Sequence, residues 1–243
     1  MCCGSSSQAR CTGRVRSAPA LLARDPDNRL LARGPRFRLS AEMIRDQALV
    51  ASGLLVERIG GPSVKPYQPP GLWEAVSYDG ELSYQQDKGD GLWRRSLYTF
   101  WKRQSPPPAM LTFDGPTRET CVMHRPRTNT PLQALALLND ETYVEAARAL
   151  AALALAQPGN DDERLRFAFR RVTSRSPDAG ELSVLRRLLT QQQSRFANDA
   201  DAAKRFVSAG VSTRGRDLEP TRLATWTVVT QAMLNLDETI TRR

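Results

Sequence analysis

The sequence predicts a mostly α fold: an irregular multi-helix domain of about six or seven helices joined by Pro-rich extended straps and long loops. Three observations predict it. Apolar residues recur at helical spacing in one segment after another, those segments open on Ser, Thr, Asp, Asn or Pro, and no run alternates convincingly as a half-buried strand does.

Taken along the chain, each element follows from local physics. Residues 1–17 (MCCGSSSQARCTGRVRS) carry no apolar period and are expected to be poorly ordered, with residues 18–243 forming one helical domain. Ser40 is a good N-cap, Leu39 and Ile44 have the spacing of a hydrophobic staple, and Met43, Ile44, Ala48, Ala51, Leu55 and Ile59 recur at helical spacing. That predicts a helix of about 20 residues stopped by Gly60-Gly61-Pro62. Pro66, Pro69 and Pro70 then hold VKPYQPPGLWEAV extended, a strap presenting Tyr67 and Trp73. SYDGELSYQQDKGDG reads as loop, with room for a short hairpin. LWRRSLYTFWKR sets Trp93, Leu97, Phe100 and Trp101 on one face, which predicts a buried aromatic helix ended by Pro106-Pro107-Pro108. An aromatic platform for sugars or bases is the sharper alternative.

The second half is uniformly helical. Asp140 or Asn139 caps a helix carrying Tyr143, Val144, Ala147, Leu150 and Ala151. Asp161, Asp162 and Glu163 crowd the positive end of the next, whose stripe is Leu165, Ala168, Phe169 and Val172. Ser176-Pro177 opens a long helix through Leu182, Leu185, Leu188, Leu189 and Phe196, and Pro220 opens a last one bearing Leu223, Trp226, Val229, Met233 and Leu234. QALALLNDET (133–142) and QAMLNLDET (231–239) echo each other, as a shared way of ending helices or a short duplication would make them do.

Composition bounds the partners. The net charge of +9 points toward an anionic partner, but nine arginines against three carboxylates in residues 1–45 supply six of those charges. Of the 35 basic residues 31 are Arg, a bias that codon usage explains as readily as phosphate binding, so nucleic acid is disfavoured as a partner. No window approaches the roughly 18 consecutive apolar residues of a membrane span, nor does the N-terminus hold the apolar core of a signal peptide. Cys2, Cys3 and Cys11 cluster far from Cys121, which is no disulfide framework. His124 is the only histidine, so no metal site is read from the spacing. Cys121-Val-Met-His124 lacks the second Cys of a haem-attachment motif, so this chain carries no cofactor motif of its own.

The strongest local signal is RPRTNTPLQALALLND, residues 125–140. Thr130 as N-cap, Pro131 at the first helical position and Gln133 completing a capping box explain a helix start. Ahead of it, Asp114, Arg118, Glu119, His124, Arg125, Arg127 and Asn129 fall within sixteen positions. One reading is a buried network in which Arg118, Arg125 and Arg127 pair with Asp114, Glu119, Asp140 and loop carbonyls. A second is an anion- or sugar-binding pocket built by Arg118, Arg125, Arg127 and Asn129 at the helix N-terminus. A third is catalysis, with Asp114 or Glu119 as general acid or base and His124 or Cys121 assisting, although two loop carboxylates make a weak signal for glycoside chemistry.

DPDNRLLARGPRFRLSAEMIRDQAL, KPYQPPGLWEAVSYDG, LWRRSLYTFWKR, PPPAMLTFDGPTRETC, RTNTPLQALALLNDETYVEAARALA and LATWTVVTQAMLNLDET together resemble the planctomycete-type domain of unknown function 1553 family over about residues 18–243. The resemblance implies the C-terminal module of a larger exported protein, periplasmic or extracellular, with companion domains as partners. It further implies that any haem belongs to a separate c-type cytochrome domain of the parent. It brings no catalytic residues with it, and MCCG departs from its pattern.

Two function classes follow. One is a noncatalytic helical module that packs on companion domains and binds an anionic glycan. The alternative is a hydrolase-like enzyme using the 114–129 loop, and a further alternative is nucleic-acid binding through the basic N-terminal segment.

Overall fold

A computed structural model describes residues 23–31, 37–78 and 81–242. The expected disorder of residues 1–17 lies outside them. Among the described residues the elements are β1 (Phe37–Arg38), α1 (Ala41–Ser52), α2 (Pro108–Thr112), α3 (Pro131–Asn139), α4 (Glu141–Leu155), α5 (Asp161–Thr173), α6 (Ala179–Asn198), α7 (Ala200–Val207), α8 (Pro220–Leu234), α9 (Asp237–Ile240) and β2 (Thr241–Arg242). Seven of these nine helices have seven or more residues, the irregular, mostly helical class that the apolar stripes predict.

α4 is the axis. Twelve of its fifteen residues are buried, including six alanines whose small side chains let neighbouring backbones come close. α8 packs along it through Leu223, Trp226, Val229 and Met233, and the Thr230 hydroxyl donates to the Ala147 carbonyl at 2.8 Å. α1 and α5 cover α4 from other sides with Ile44, Ala48, Leu165 and Phe169, and α6 adds Leu182, Leu185 and Leu189 to the same core. Each buried Leu or Phe contributes about 1.5–3 kcal/mol, so this one cluster supplies most of the driving force. β1 and β2 pair antiparallel, Phe37 opposite Arg242 and Arg38 opposite Thr241, which ties the segment before α1 to the end of the chain.

Local capping is mixed: Ser40 takes the N-cap position of α1 without a side-chain cap hydrogen bond, whereas other starts are closed by side chains. Asp140 caps α4 by accepting from the Thr142 N–H at 2.9 Å, and α5 starts in a closed capping box between Asn160 and Glu163. Pro220 opens α8, with Glu219 accepting from the N–H groups of Thr221 and Arg222. The Pro-rich strap does bury Tyr67 and Trp73.

Three expectations are corrected. The helix expected to run to Ile59 stops at Ser52, because Gly53 takes φ 67° and its N–H reaches Val50 O at 3.0 Å while Leu54 N–H reaches Leu49 O at 2.9 Å. Ile59 is then 92% exposed. The long helix α6 starts at Ala179 rather than at Pro177, since Asp178 and Glu181 close a capping box two residues beyond the expected cap Ser176.

The aromatic helix over LWRRSLYTFWKR does not form. Two short 3-10 turns, Gly89–Trp93 and Ser96–Tyr98, and isolated bridges from Val56 to Arg94 and from Val64 to Thr99 replace it. The physical reason is that this stretch faces inward with Leu92, Arg94, Ser96 and Thr99, while Leu97 is 77% exposed. Arg94 donates to the carbonyls of Arg58, Gly60 and Pro62, which lie in the segment that α1 left unwound. Residues 81–88, where a hairpin had room, form no strand.

Candidate functional site

The 114–129 loop runs from the end of α2 to the start of α3. Asp114 and Arg118 take φ 61° and 64°, so the chain turns sharply twice on leaving α2. At its far end the Thr130 N–H donates to Gln133 Oε1 at 3.3 Å, which makes the Gln133 half of the expected capping box. Gln133 is fully buried, and its amide donates to Thr112 O and to the Thr128 hydroxyl, so one side chain clamps both ends of the loop.

The predicted residues divide between two depressions. A hollow of about 330 Å³ is lined by Arg38, Phe113, Asp114, His124, Arg125 and Arg127 among others. A shallower depression holds Arg118, Glu119, Cys121 and, again, Arg125. Asp114 and Glu119 therefore do not share one hollow as a pair of catalytic carboxylates would. Asp114 accepts from the Thr128 N–H at 2.8 Å and from its hydroxyl at 2.9 Å, which makes it the tie across the loop base. Among the described residues no group of three His, Cys, Asp or Glu side chains could hold a metal ion.

The buried network expected of Arg118, Arg125 and Arg127 is not formed. Residues 117–132 are exposed throughout, and Asp140 is taken up by the start of α4. Each arginine has its own partner instead. Arg125 Nη1 lies 2.8 Å from both Glu42 oxygens. Burial pulls the Glu42 carboxyl up, yet its own backbone N–H and the Arg125 guanidinium together hold it below the usual glutamate value. Arg118 stacks over Trp101 at 4.6 Å and Arg127 over Phe37 at 4.5 Å. Asn129 Oδ1 accepts from Arg38 Nη2 at 3.1 Å.

Sequence reasoning missed Phe37, Arg38 and Glu42 as parts of this site. Arg38 had been counted only in the N-terminal charge, and pairing by β1 is what brings it against the loop. Its Nη1 is buried with no protein acceptor, and burial pushes the guanidinium pKa down while Asp114 and Asp237 oppose that shift.

A second polar centre was also missed. Glu145, fully buried on α4, accepts from Tyr67 OH at 3.1 Å, Trp93 Nε1 at 2.7 Å and Ser212 N–H at 2.6 Å. Arg148, one turn on, donates to Ser212 O and Arg214 O and lies 3.8 Å from Glu145. In sequence this pair looks like an ordinary solvated i, i+3 contact, so no signal distinguished it.

No helix among the described residues is long and apolar enough to cross a membrane. No curated protein and no solved structure matches the chain. The family model PSD1, described as a protein of unknown function (DUF1553), matches residues 8–189, which leaves the closing motif on α8 outside the match. That match covers about three quarters of the chain, with the strap, the 114–129 loop and helices α1 to α5 inside it, and the chain accordingly belongs to the DUF1553 family.

Proposed function

We propose that the chain is a noncatalytic recognition module that binds an anionic group of a glycan, a carboxylate or a sulfate, in the hollow between β1 and the 114–129 loop. One observation carries the reading: Arg38 and Arg127 line a single hollow with His124 and Arg125, and while Arg125 is paired with Glu42 and Asp114 is tied to Thr128, neither Arg38 nor Arg127 is in direct contact with a carboxylate among the described residues. Arg38 brings a buried Nη1 with no protein acceptor, and Arg127 has no carboxylate partner among the described residues. A guanidinium stacked on an aromatic ring keeps its N–H edge for a forked oxyanion contact, which is why such pairs suit carboxylates and sulfates. In the exported multidomain parent that the resemblance implies, such a module meets extracellular polysaccharide while its other faces pack on companion domains.

The test is Arg127→Ala, measured for binding by calorimetry with uronate and sulfated oligosaccharides and for stability by thermal melting. Arg127 is exposed and its ring contact is worth about 0.5–1 kcal/mol, so the melting temperature should fall by no more than roughly 4 °C. Affinity should fall at least about tenfold, the loss of roughly 1.4 kcal/mol of contact. Unchanged affinity, or no saturable binding by the parent sequence, defeats the reading. Oligosaccharide cleavage that Asp114→Asn abolishes would put the hydrolase alternative in its place.

A further inference from the structure

The aromatic stretch that failed to form a helix gathers a different constellation beneath the Pro-rich strap. Trp73 is 8% exposed, and two ammonium groups face its ring, Lys102 Nζ at 4.6 Å and Lys65 Nζ at 5.2 Å. Phe100 and Tyr84 wall the same ring at 5.7 and 5.2 Å. The backbone fixes this arrangement: Val64 bridges Thr99, Lys102 bridges Ser105, the Ser105 hydroxyl donates to Leu72 O, and the Tyr84 hydroxyl donates to Pro66 O. Neither lysine makes an ion pair with a described carboxylate. Asp87 receives the backbone N–H of Lys65, and Glu74, beside Trp73, has one buried carboxylate oxygen with no protein donor.

Two buried donors, one of them an ammonium with three N–H groups, stand here against one buried carboxylate oxygen without a donor, that of Glu74. Lys102 Nζ and Trp73 Nε1 are both buried and have no protein acceptor, and the buried Thr99 hydroxyl is likewise unpartnered. A ring face attracts a cation but accepts none of its N–H groups as an oxygen does, and two like charges over one ring repel. Buried polar groups in folded proteins are almost always partnered, and charged ones most of all. A packing role alone would place the lysine stems on the ring and turn their heads to water, whereas the head of Lys102 points into the cluster.

We propose that Lys65 and Lys102 form a binding site for a small oxyanion, carboxylate or sulfate, seated against Trp73 under the strap. This site is independent of the hollow at the 114–129 loop. Trp73 is enclosed by Phe100 and Tyr84, so the ligand contributes its anionic group and does not stack a sugar ring on the indole. Lys65 is half-buried and Phe100 is 38% exposed, whereas the head of Lys102 is covered, so an anion meets Lys65 first and reaches Lys102 by displacing its cover.

The chain has only four lysines, Lys65, Lys88, Lys102 and Lys204, so their ammonium resonances are individually assignable by single substitutions. Sodium sulfate and sodium acetate are titrated into the full chain against sodium chloride at matched ionic strength. The Lys65 and Lys102 ammonium signals should shift saturably with at least one of the two anions, while Lys88 and Lys204 drift only with ionic strength. The anion that saturates identifies the ligand class. Lys65→Met should weaken the saturating response of Lys102 at least about tenfold. Lys102→Met should leave the melting temperature equal or higher in chloride, because it removes a buried donor that no protein group satisfies. If Lys65 and Lys102 merely track the other two lysines, or if Lys65→Met leaves the Lys102 response intact, the site does not exist. A large drop in melting temperature for Lys102→Met would make the pair structural.

Discussion

Among the described residues Arg94, Arg148 and Arg45 are the least exposed arginines, and the terminal nitrogens of each bond mainly main-chain carbonyls while its buried Nε has no protein acceptor. Arg94 takes those of Arg58, Gly60 and Pro62 and lies 3.9 Å over the Tyr98 ring. Arg45 takes Leu92 O, Arg94 O and the Ser96 hydroxyl. Irregular segments leave carbonyls that no helix or sheet ladder satisfies, and a planar five-donor fork collects several at once. The excess of arginine over lysine thus has a structural use that composition did not disclose. Arg94→Met should leave three inward carbonyls without their donor at a cost of about 3 kcal/mol, lowering the melting temperature by roughly 6–12 °C. A calorimetric scan that moves by less than a few degrees would show those carbonyls to be otherwise satisfied.

At the level of elements, the helix starts follow from side chains within three residues, and pH should report one of them. Glu181, at the third position of α6, accepts both the Asp178 N–H and the Arg175 guanidinium, and Arg175 also holds Glu238 near the C-terminus. The Arg175 hydrogen bond pulls the Glu181 carboxyl below its ordinary value of 4.5, burial opposing and the Asp178 N–H assisting. With the folded value lower than the unfolded one, the unfolded chain takes up the proton first. The stabilisation is therefore complete above the unfolded value and is lost as pH falls through the folded one. Glu181→Ala should cost about 1 kcal/mol at neutral pH, roughly 2–4 °C, and should flatten part of the acid limb of the melting-temperature profile. A parallel profile for the two proteins would remove Glu181 from the acid response. The two echoing segments share a local structure at this scale. Gln133 and Gln231 are both buried, donating to Thr112 O and Leu138 O, and both echoes end at a junction between two helices.

Across the whole molecule, Glu145 joins segments far apart in sequence: the strap through Tyr67, the turn at Trp93, and the 210–216 loop through Ser212. Gly210 and Ser212 crowd this carboxylate closely, and a Cβ at Gly210 would collide with Glu145 Oε1. Glu145→Gln replaces one oxygen of an acceptor-only carboxylate with an NH2 donor that faces three donors. Stability should fall by about 3 kcal/mol, read as a melting temperature roughly 6–12 °C lower with Trp fluorescence and helical signal lost together. Separate loss of the two signals would mean that the strap is not held by this centre.

The amino-acid sequence alone settles the helical class, the stripes of α4, α5 and α8, and the Asp140 and Pro220 starts, because those depend on neighbours three or four residues away. It also locates the polar loop, but not the company that Phe37, Arg38 and Glu42 keep with it. The early stop at Gly53, the unwound aromatic stretch, the placing of Lys65 and Lys102 over Trp73 and the burial of Glu145 were decided only by tertiary structure. Arg94 bonds carbonyls 32 to 36 residues away, and Glu145 bonds Ser212 from a distance of 67 residues. No local periodicity encodes a partner at that separation, so the folded chain alone determines which charges are spent inside and which face outward.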